Sequence, residues 1–193
     1  MAFFRTVSIT EPQPGIVGEG VTLRMPQMAD YAEWAALRDA SRDFLTPWEP
    51  TWPSDDLTRS AFRRRLKRYL EDQRADQAYA FLIFRAKDNA LIGGLTLANV
   101  RRGVAQSGSL GYWMGAKFAR QGYMTAAVRA LIPFVFGGLR LHRLEAACIP
   151  ANAASIRLLE KTGFQREGYA REYLCINGLW QDHLLYARLK DDP

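Results

Sequence analysis

Phe118-Ala119-Arg120-Gln121-Gly122-Tyr123-Met124-Thr125 puts a glycine, a basic residue and a hydroxyl between two apolar runs. The run before it, Leu110 to Met114, is strand-like, and the run after it carries Val128, Leu131, Ile132 and Val135 at helical spacing. A glycine at a strand-to-helix turn lets successive backbone N–H groups converge on one point, with the positive end of the helix behind them. That makes an anion site largely of main chain. With Arg120 and Thr125 beside it, the ligand it suits is a pyrophosphate. An ordinary tight turn is the alternative, because the pattern is common on its own. Further along, Asn152-Ala153-Ala154-Ser155 opens a helix-like run that Gly163 closes. Asn152 and Ser155 either cap that helix or turn a carboxamide and a hydroxyl toward a ligand. In Trp48-Glu49-Pro50 a carboxylate stands in a proline-stiffened loop. It can attract an ammonium and accept its proton, or it can be a solvated loop glutamate. Glu167, read as a turn residue, and Asp182, read as the hairpin partner of a nearby arginine, are its rivals.

Residues 118–127 and Asn152 to Phe164 together resemble the GNAT acetyltransferases, which bind acetyl-coenzyme A. Phe44 to Pro50, Gln121 to Thr125, Glu167 to Arg171 and Asn177-Gly178-Leu179-Trp180-Gln181-Asp182-His183 resemble the RimJ-type ribosomal-protein-alanine N-acetyltransferases, from about Gly20 to the C-terminus. The resemblance implies one α+β domain over residues 20–193, preceded by an extension over residues 1–19. Its sheet would be mixed, mostly antiparallel and twisted, splayed open at its centre and flanked by helices. The resemblance also implies a pyrophosphate on the N–H groups of Arg120, Gln121, Gly122, Met124 and Thr125, with Tyr123 in the same turn. Pantetheine would be gripped by the backbone of Tyr112, Trp113 and Met114, where side-chain identity matters little, and by Asn152. Ser155 would donate a hydrogen bond to the departing thiolate. Many members carry a basic residue or glutamine where this chain has Ala119, which leaves side-chain contact to Arg120 or Gln121. Trp48, Trp180, Glu49 and His183 are the expected substrate-side residues, with Trp52 a further candidate. The family has no universal base, so Glu49, Glu167 and Asp182 stay open for that role.

Acetyl transfer needs a thioester held against a neutral amine, and donors for the charge that develops on oxygen and sulfur. An α-amine, with a reference pKa of about 7.7–8.0, is far easier to use near neutral pH than a lysine at about 10.4. The expected acceptor is therefore the N-terminal alanine or serine of a protein, a small-subunit ribosomal protein by resemblance. The amine is expected to attack the thioester directly, because Cys148 and Cys175 have no visible histidine partner for an acyl-enzyme. The alternatives are a small-molecule amine (an antibiotic, an aminoacyl nucleotide or a polyamine) and a non-catalytic coenzyme A-binding or ribosome-assembly module. Phosphate binding of a nucleotide at the glycine turn is a weaker alternative, because the Lys-Ser/Thr ending of a P-loop is missing.

The elements that must position these residues can be read from periodicity and punctuation. Val21 to Arg24, Ala78 to Arg85, Leu91 to Leu97, Ser109 to Met114, Leu144 to Ile149, Tyr173 to Ile176 and Trp180 to Arg188 read as strands, the last two joined by an Asn177-Gly178 turn. Helices are expected over about Ala29 to Ala40, from a Ser54 cap through the basic run, after Gly122 with a kink or stop at Pro133, and from Asn152 to Gly163. The chain has 193 residues, 48% of them hydrophobic, enough for one domain with a real core. No stretch approaches the ~18 apolar residues of a membrane span, and no secretory signal is visible, so a cytoplasmic chain with buried free thiols is expected. No metal site is expected, since the two cysteines lack ligand spacing. The formal net charge of +6 suits an anionic cofactor or a ribonucleoprotein-associated target. Arg63-Arg64-Arg65-Leu66-Lys67-Arg68 is either a solvated helix face or a contact with ribosomal RNA.

Overall fold

A computed structural model describes residues 15–193; Pro12 and Pro14 of the expected extension lie outside the described residues. Eight strands form one sheet in the order β1-β2-β3-β4-β5-β6-β8-β7. They are β1 (Ile16–Gly18), β2 (Val21–Arg24), β3 (Tyr79–Arg85), β4 (Leu91–Arg101), β5 (Ser107–Met114), β6 (Arg143–Cys148), β7 (Gln165–Ile176) and β8 (Leu179–Leu189). Neighbours are antiparallel except β5 and β6, which run parallel. That parallel pairing covers only Ser107–Ser109 against Arg143–Glu145, while β5 stays paired with β4 as far as Met114. Past Ser109 the sheet therefore opens, and the second half of β5 presents an unpaired edge to the gap.

The helices are α1 (Tyr31–Asp39), α2 (Arg42–Leu45), α3 (Arg59–Arg74), α4 (Tyr123–Pro133) and α5 (Ala153–Lys161). α1 packs on β4 and α3 on β3, α4 packs on β1 and β2, and α5 packs on β6. Phe62 of α3 is fully buried between the rings of Tyr31 and Trp34, with centroids 5.8 and 4.8 Å away. Removing such a ring costs about 3–5 kcal/mol, so this contact fixes α3 against α1. β3 buries Ala80, Leu82, Ile83 and Phe84, and Tyr79 and Phe81 also pack edge-on against Phe134. Both of its faces are covered, which is why it reads as a continuous apolar run.

Several expectations need correction. Ile16–Gly18, read as part of an extension, pairs with β2 as an edge strand of the sheet. Ser54 does not cap α3: Thr58 does, its hydroxyl accepting from Ala61 N at 3.2 Å. The residues between them form turns, with Asp56 N bonded to Pro53 O and Thr58 N to Asp55 O. Pro133 stops α4 and a single π-helical turn follows, Phe134–Gly138, closed by Leu139 N to Phe134 O at 2.8 Å. β7 begins at Gln165 instead of Tyr173, because this edge strand is mostly exposed and carries no apolar alternation to mark it. Cys148 is buried as expected, but Cys175 is exposed. Among the described residues no helix is long and apolar enough to cross a membrane.

Candidate functional site

The opening between β5 and β6 leads into a cavity of about 600 Å³. Tyr112, Trp113 and Met114 of β5 line one side of it. The turn Phe118 to Gly122 and the first residues of α4, Tyr123, Met124 and Thr125, line a second. Ala151 to Ser155 with Arg157, Leu158 and Lys161 of α5 form a third, and Phe44, Leu45, Trp48 and Glu49 close the fourth. All eleven residues expected to touch the cofactor thus face one space.

Main-chain geometry makes the turn an anion cradle. Arg120 (φ 60°) and Gly122 (φ 86°) both occupy the left-handed region, curling the chain just before α4. Gly122 is the N-cap and offers no side chain; the first helical bond runs from Ala126 N to Gly122 O at 3.0 Å. The N–H groups of Tyr123, Met124 and Thr125 precede that bond and have no acceptor within the helix. A Cβ built on Gly122 would meet nothing within 4 Å, so the glycine borders open space that a ligand can approach closely. Gln121 is less available than its position suggests, because its Nε2 donates to Lys117 O at 2.9 Å. Arg120, Arg157 and Lys161 supply the positive side chains. Arg157 and Lys161 lie one turn apart on α5, an i,i+4 spacing that marks them on one face in the sequence.

At the start of α5, Asn152 Oδ1 accepts from Ser155 N at 3.0 Å. Asn152 is therefore a helix cap and a cavity residue at once, with its side-chain NH₂ left to turn to a ligand. Ser155 is buried, and its hydroxyl is hydrogen-bonded to the hydroxyl of Tyr112. Burial pushes the Tyr112 phenol above its ordinary range, partly opposed by the bond to Ser155. Burial likewise pushes the Cys148 thiol up to about 11, again partly opposed by Ser155, so this cysteine is a neutral thiol near pH 7. At Tyr112, where side-chain identity was expected to matter little, the side chain reaches across to α5.

A second cavity, about 360 Å³, shares Glu49, Tyr112 and Trp113 with the first. Glu49 is not a solvated loop residue. Its Oε1 accepts from Arg38 Nη1 at 2.8 Å, and its Oε2 accepts from Arg38 Nη2 and Trp52 Nε1, both at 2.7 Å. The Arg38 guanidinium is buried in α1, 4.1 Å from the Trp52 ring and 5.1 Å from the Trp113 ring. Beyond it Arg65 of α3 pairs with Asp56 at 2.6 Å, and Asp56 Oδ2 lies 4.0 Å from Arg38. Two arginines and two carboxylates thus balance in charge among Trp34, Trp52 and Trp113. Gly94 of β4 sits beneath the Trp113 indole, and any Cβ there would overlap it. Arg38, Asp56, Arg65 and Gly94 carry no local sequence signal for this role, because their partners come from other elements.

The remaining expected residues lie elsewhere. Trp180 is 65% exposed near the tip of the β7–β8 hairpin and lines neither cavity. The hairpin tip does touch the Glu49 loop, through Asn177 N to Glu49 O at 2.9 Å. His183 is buried, its ring 5.7 Å from that of Tyr173 and its Nδ1 2.9 Å from Gln181 O. Glu167, read as a turn residue, lies in β7 and pairs with Arg143, with Nη1 to Oε1 at 3.0 Å. Asp182 accepts from the Tyr169 hydroxyl and from Glu172 N at 2.8 Å, and the arginine near it, Arg171, acts through its charge. The bond from Arg143 holds the Glu167 carboxyl below its ordinary range, and the bond from Tyr169 does the same for Asp182. Of the three carboxylates, Glu49 alone lines the cavities.

The chain matches the Acetyltransferase (GNAT) domain family over residues 21–165. It is 37% identical over 175 residues to the probable N-acetyltransferase YjcK of Bacillus subtilis (strain 168), covering 91% of this chain and 97% of that protein. It is 32% identical over 181 residues to the [ribosomal protein uS5]-alanine N-acetyltransferase of Escherichia coli (strain K12), covering 94% and 93%. Among solved structures, RimJ of Mycobacterium smegmatis in complex with CoA-disulfide matches with a TM-score of 0.83 at 32% identity, over 88% of this chain and 81% of that one. The residues in place suit the acetyl-coenzyme A that the sequence motifs imply: free N–H groups and three cations for phosphates, an amide for pantetheine, and an unpaired strand edge beside a buried hydroxyl.

Proposed function

The chain belongs to the GNAT acetyltransferases, and we propose that its acceptor is the N-terminal α-amine of a protein, with alanine or serine first and a small-subunit ribosomal protein as the target. The observation that carries this reading is the place of the Glu49 carboxylate. It stands where the cofactor cavity meets the second cavity, with Tyr112 and Trp113 as the shared wall. The uS5-directed relative, similar over 94% of the chain, supports the acceptor class.

Acetyl-coenzyme A supplies the activated acetyl thioester. The turn N–H groups, with Arg120, Arg157 and Lys161, hold its phosphates, and Asn152 with the open edge of β5 orients the pantetheine arm. Glu49 receives the amine. Its Oε2 already accepts two hydrogen bonds and its Oε1 one, so Oε1 is the atom with capacity for an ammonium proton. An α-amine needs little help to lose that proton near pH 8, which suits a carboxylate held in an ion pair. Ser155 donates a hydrogen bond to the leaving sulfur. Trp48, beside Glu49 on the cofactor side, flanks the acceptor, while Trp180 and His183 meet it only if it extends over the hairpin.

One observation favours a small-molecule amine instead: a 360 Å³ cavity with three tryptophans is roomier than an alanine side chain requires. Contact with ribosomal RNA has weaker support, because Arg64, Arg65 and Lys67 of the basic run pair with Asp55, Asp56 and Glu71.

The test is thiol release from acetyl-coenzyme A with a panel of acceptors, the acetyl group then located by mass spectrometry. The panel holds peptides beginning in alanine or serine, N-terminally blocked peptides with internal lysines, and aminated small molecules. Acetylation confined to free N-termini is expected. Preference for a small amine would overturn the acceptor and leave the cofactor chemistry standing.

A further inference from the structure

Tyr112 does more than its place in β5 demands. Its main chain belongs to the open strand edge, yet its side chain crosses the gap and its hydroxyl meets Ser155 Oγ, 43 residues away. The ring lines both cavities. Ser155 is itself held at the main chain by Asn152 Oδ1. What remains undecided by these contacts is the direction in which the serine proton points.

A serine hydroxyl has one proton and two lone pairs. If Ser155 donates to Tyr112, its only proton is engaged and cannot reach a sulfur in the cavity. If Tyr112 donates to Ser155, the serine proton is free. A buried phenol that keeps its proton needs an acceptor for it, and leaving that donor unmet is costly. Ser155 Oγ is the hydrogen-bond partner the phenol has in this fold. The serine proton is then free for a sulfur brought into the cavity that Ser155 lines.

We propose that Tyr112 is a positioning residue: by donating its phenolic proton to Ser155 Oγ, it aims the serine hydroxyl at the leaving sulfur of the thioester. This rests on the reading of Ser155 as a hydrogen-bond donor. No proton changes hands in the arrangement. Passing one through the pair to the thiolate would leave a phenolate in a site whose burial opposes it, so Tyr112 acts as a donor and not as an acid.

The test is a double-mutant cycle on kcat at saturating acetyl-coenzyme A, with cofactor affinity measured by calorimetry and folding by thermal melting. Tyr112→Phe should lower kcat about tenfold, the scale of one lost hydrogen bond in a transition state, with cofactor affinity within about twofold. Ser155→Ala should lower it roughly 10- to 100-fold. In the Ser155→Ala protein, adding Tyr112→Phe should change kcat by less than about twofold, because its route of action is gone. An unchanged kcat in Tyr112→Phe, or the same tenfold loss in both backgrounds, would overturn the inference while the reading of Ser155 stands. An unchanged kcat in Ser155→Ala would overturn both. Should Tyr112→Phe fail to fold, 3-fluorotyrosine at position 112 keeps the ring and strengthens the donor. It should leave kcat at or above the starting value with Ser155 present; a fall would count against the role.

Discussion

The larger cavity, the proposed cofactor side, and the smaller one, the proposed acceptor side, share Glu49, Tyr112 and Trp113, yet they are held in opposite ways. The cofactor side is mostly main chain: a left-handed turn at Arg120 and Gly122, the first N–H groups of α4, and the unpaired edge of β5. The acceptor side is mostly side chain supported by side chain, with Arg38 gripping Glu49, Trp52 closing on both, and Arg65 holding Asp56. A main-chain site tolerates many side-chain changes and fails at one glycine. A side-chain site keeps its backbone under substitution and fails at its central ion. The two should therefore break separately.

The largest expected effect is at Gly122. A valine there must adopt φ near 86° and would put two methyl groups into the space the ligand approaches. Those methyl groups would block close approach to the main chain, so acetyl-coenzyme A affinity by calorimetry should fall roughly 100-fold, while the backbone strain costs about 1–3 kcal/mol of stability besides. Next is Arg38→Met, which leaves Glu49 without its ion partner in a largely buried site. Thermal or urea unfolding should show a loss of about 3 kcal/mol, and the acceptor KM should rise about tenfold in the protein that remains folded. Gly94→Ala probes the shared wall, because its Cβ would overlap the Trp113 indole. A displaced indole costs about 1–3 kcal/mol of stability and should disturb cofactor and acceptor binding together. The smallest effect is at the cysteines: at pH 8 a thiol reagent should label exposed Cys175 quickly and Cys148 only after unfolding. Burial raises the Cys148 pKa to about 11, so the folded protein holds that proton where the unfolded chain has lost it. The thiol's contribution to stability is therefore present at neutral pH and declines as pH rises from about 9 toward 11, which unfolding curves across that range would detect.

What the sequence discloses follows the same division. Gly122 and the Asn152–Ser155 helix start are local patterns, because a turn and a cap are decided by a few consecutive residues, and every residue they nominate lines the cavity. Most strands were legible too, since β3, β4 and β6 bury apolar side chains that stand out from their neighbours. β7 was legible only at its end, because an exposed edge strand carries mixed polar residues. The partnership of Arg38 with Glu49 and Trp52 joins α1 to a loop, and that of Tyr112 with Ser155 joins β5 to α5. No periodicity records such pairs, since nothing at sequence separations of 11 or 43 residues fixes the partners' approach. Glu49 could be nominated from its loop, whereas the bidentate grip that holds it at the junction could not.

The separation of the two sides is tested most directly by titrating acetyl-coenzyme A into folded Arg38→Met protein by calorimetry, with the unsubstituted protein beside it. The two-sided account predicts an affinity within about twofold of the unsubstituted protein, since no cofactor-side main chain has moved. A fall approaching that of Gly122→Val would mean that the ion-pair cluster also builds the cofactor site, and would contradict it.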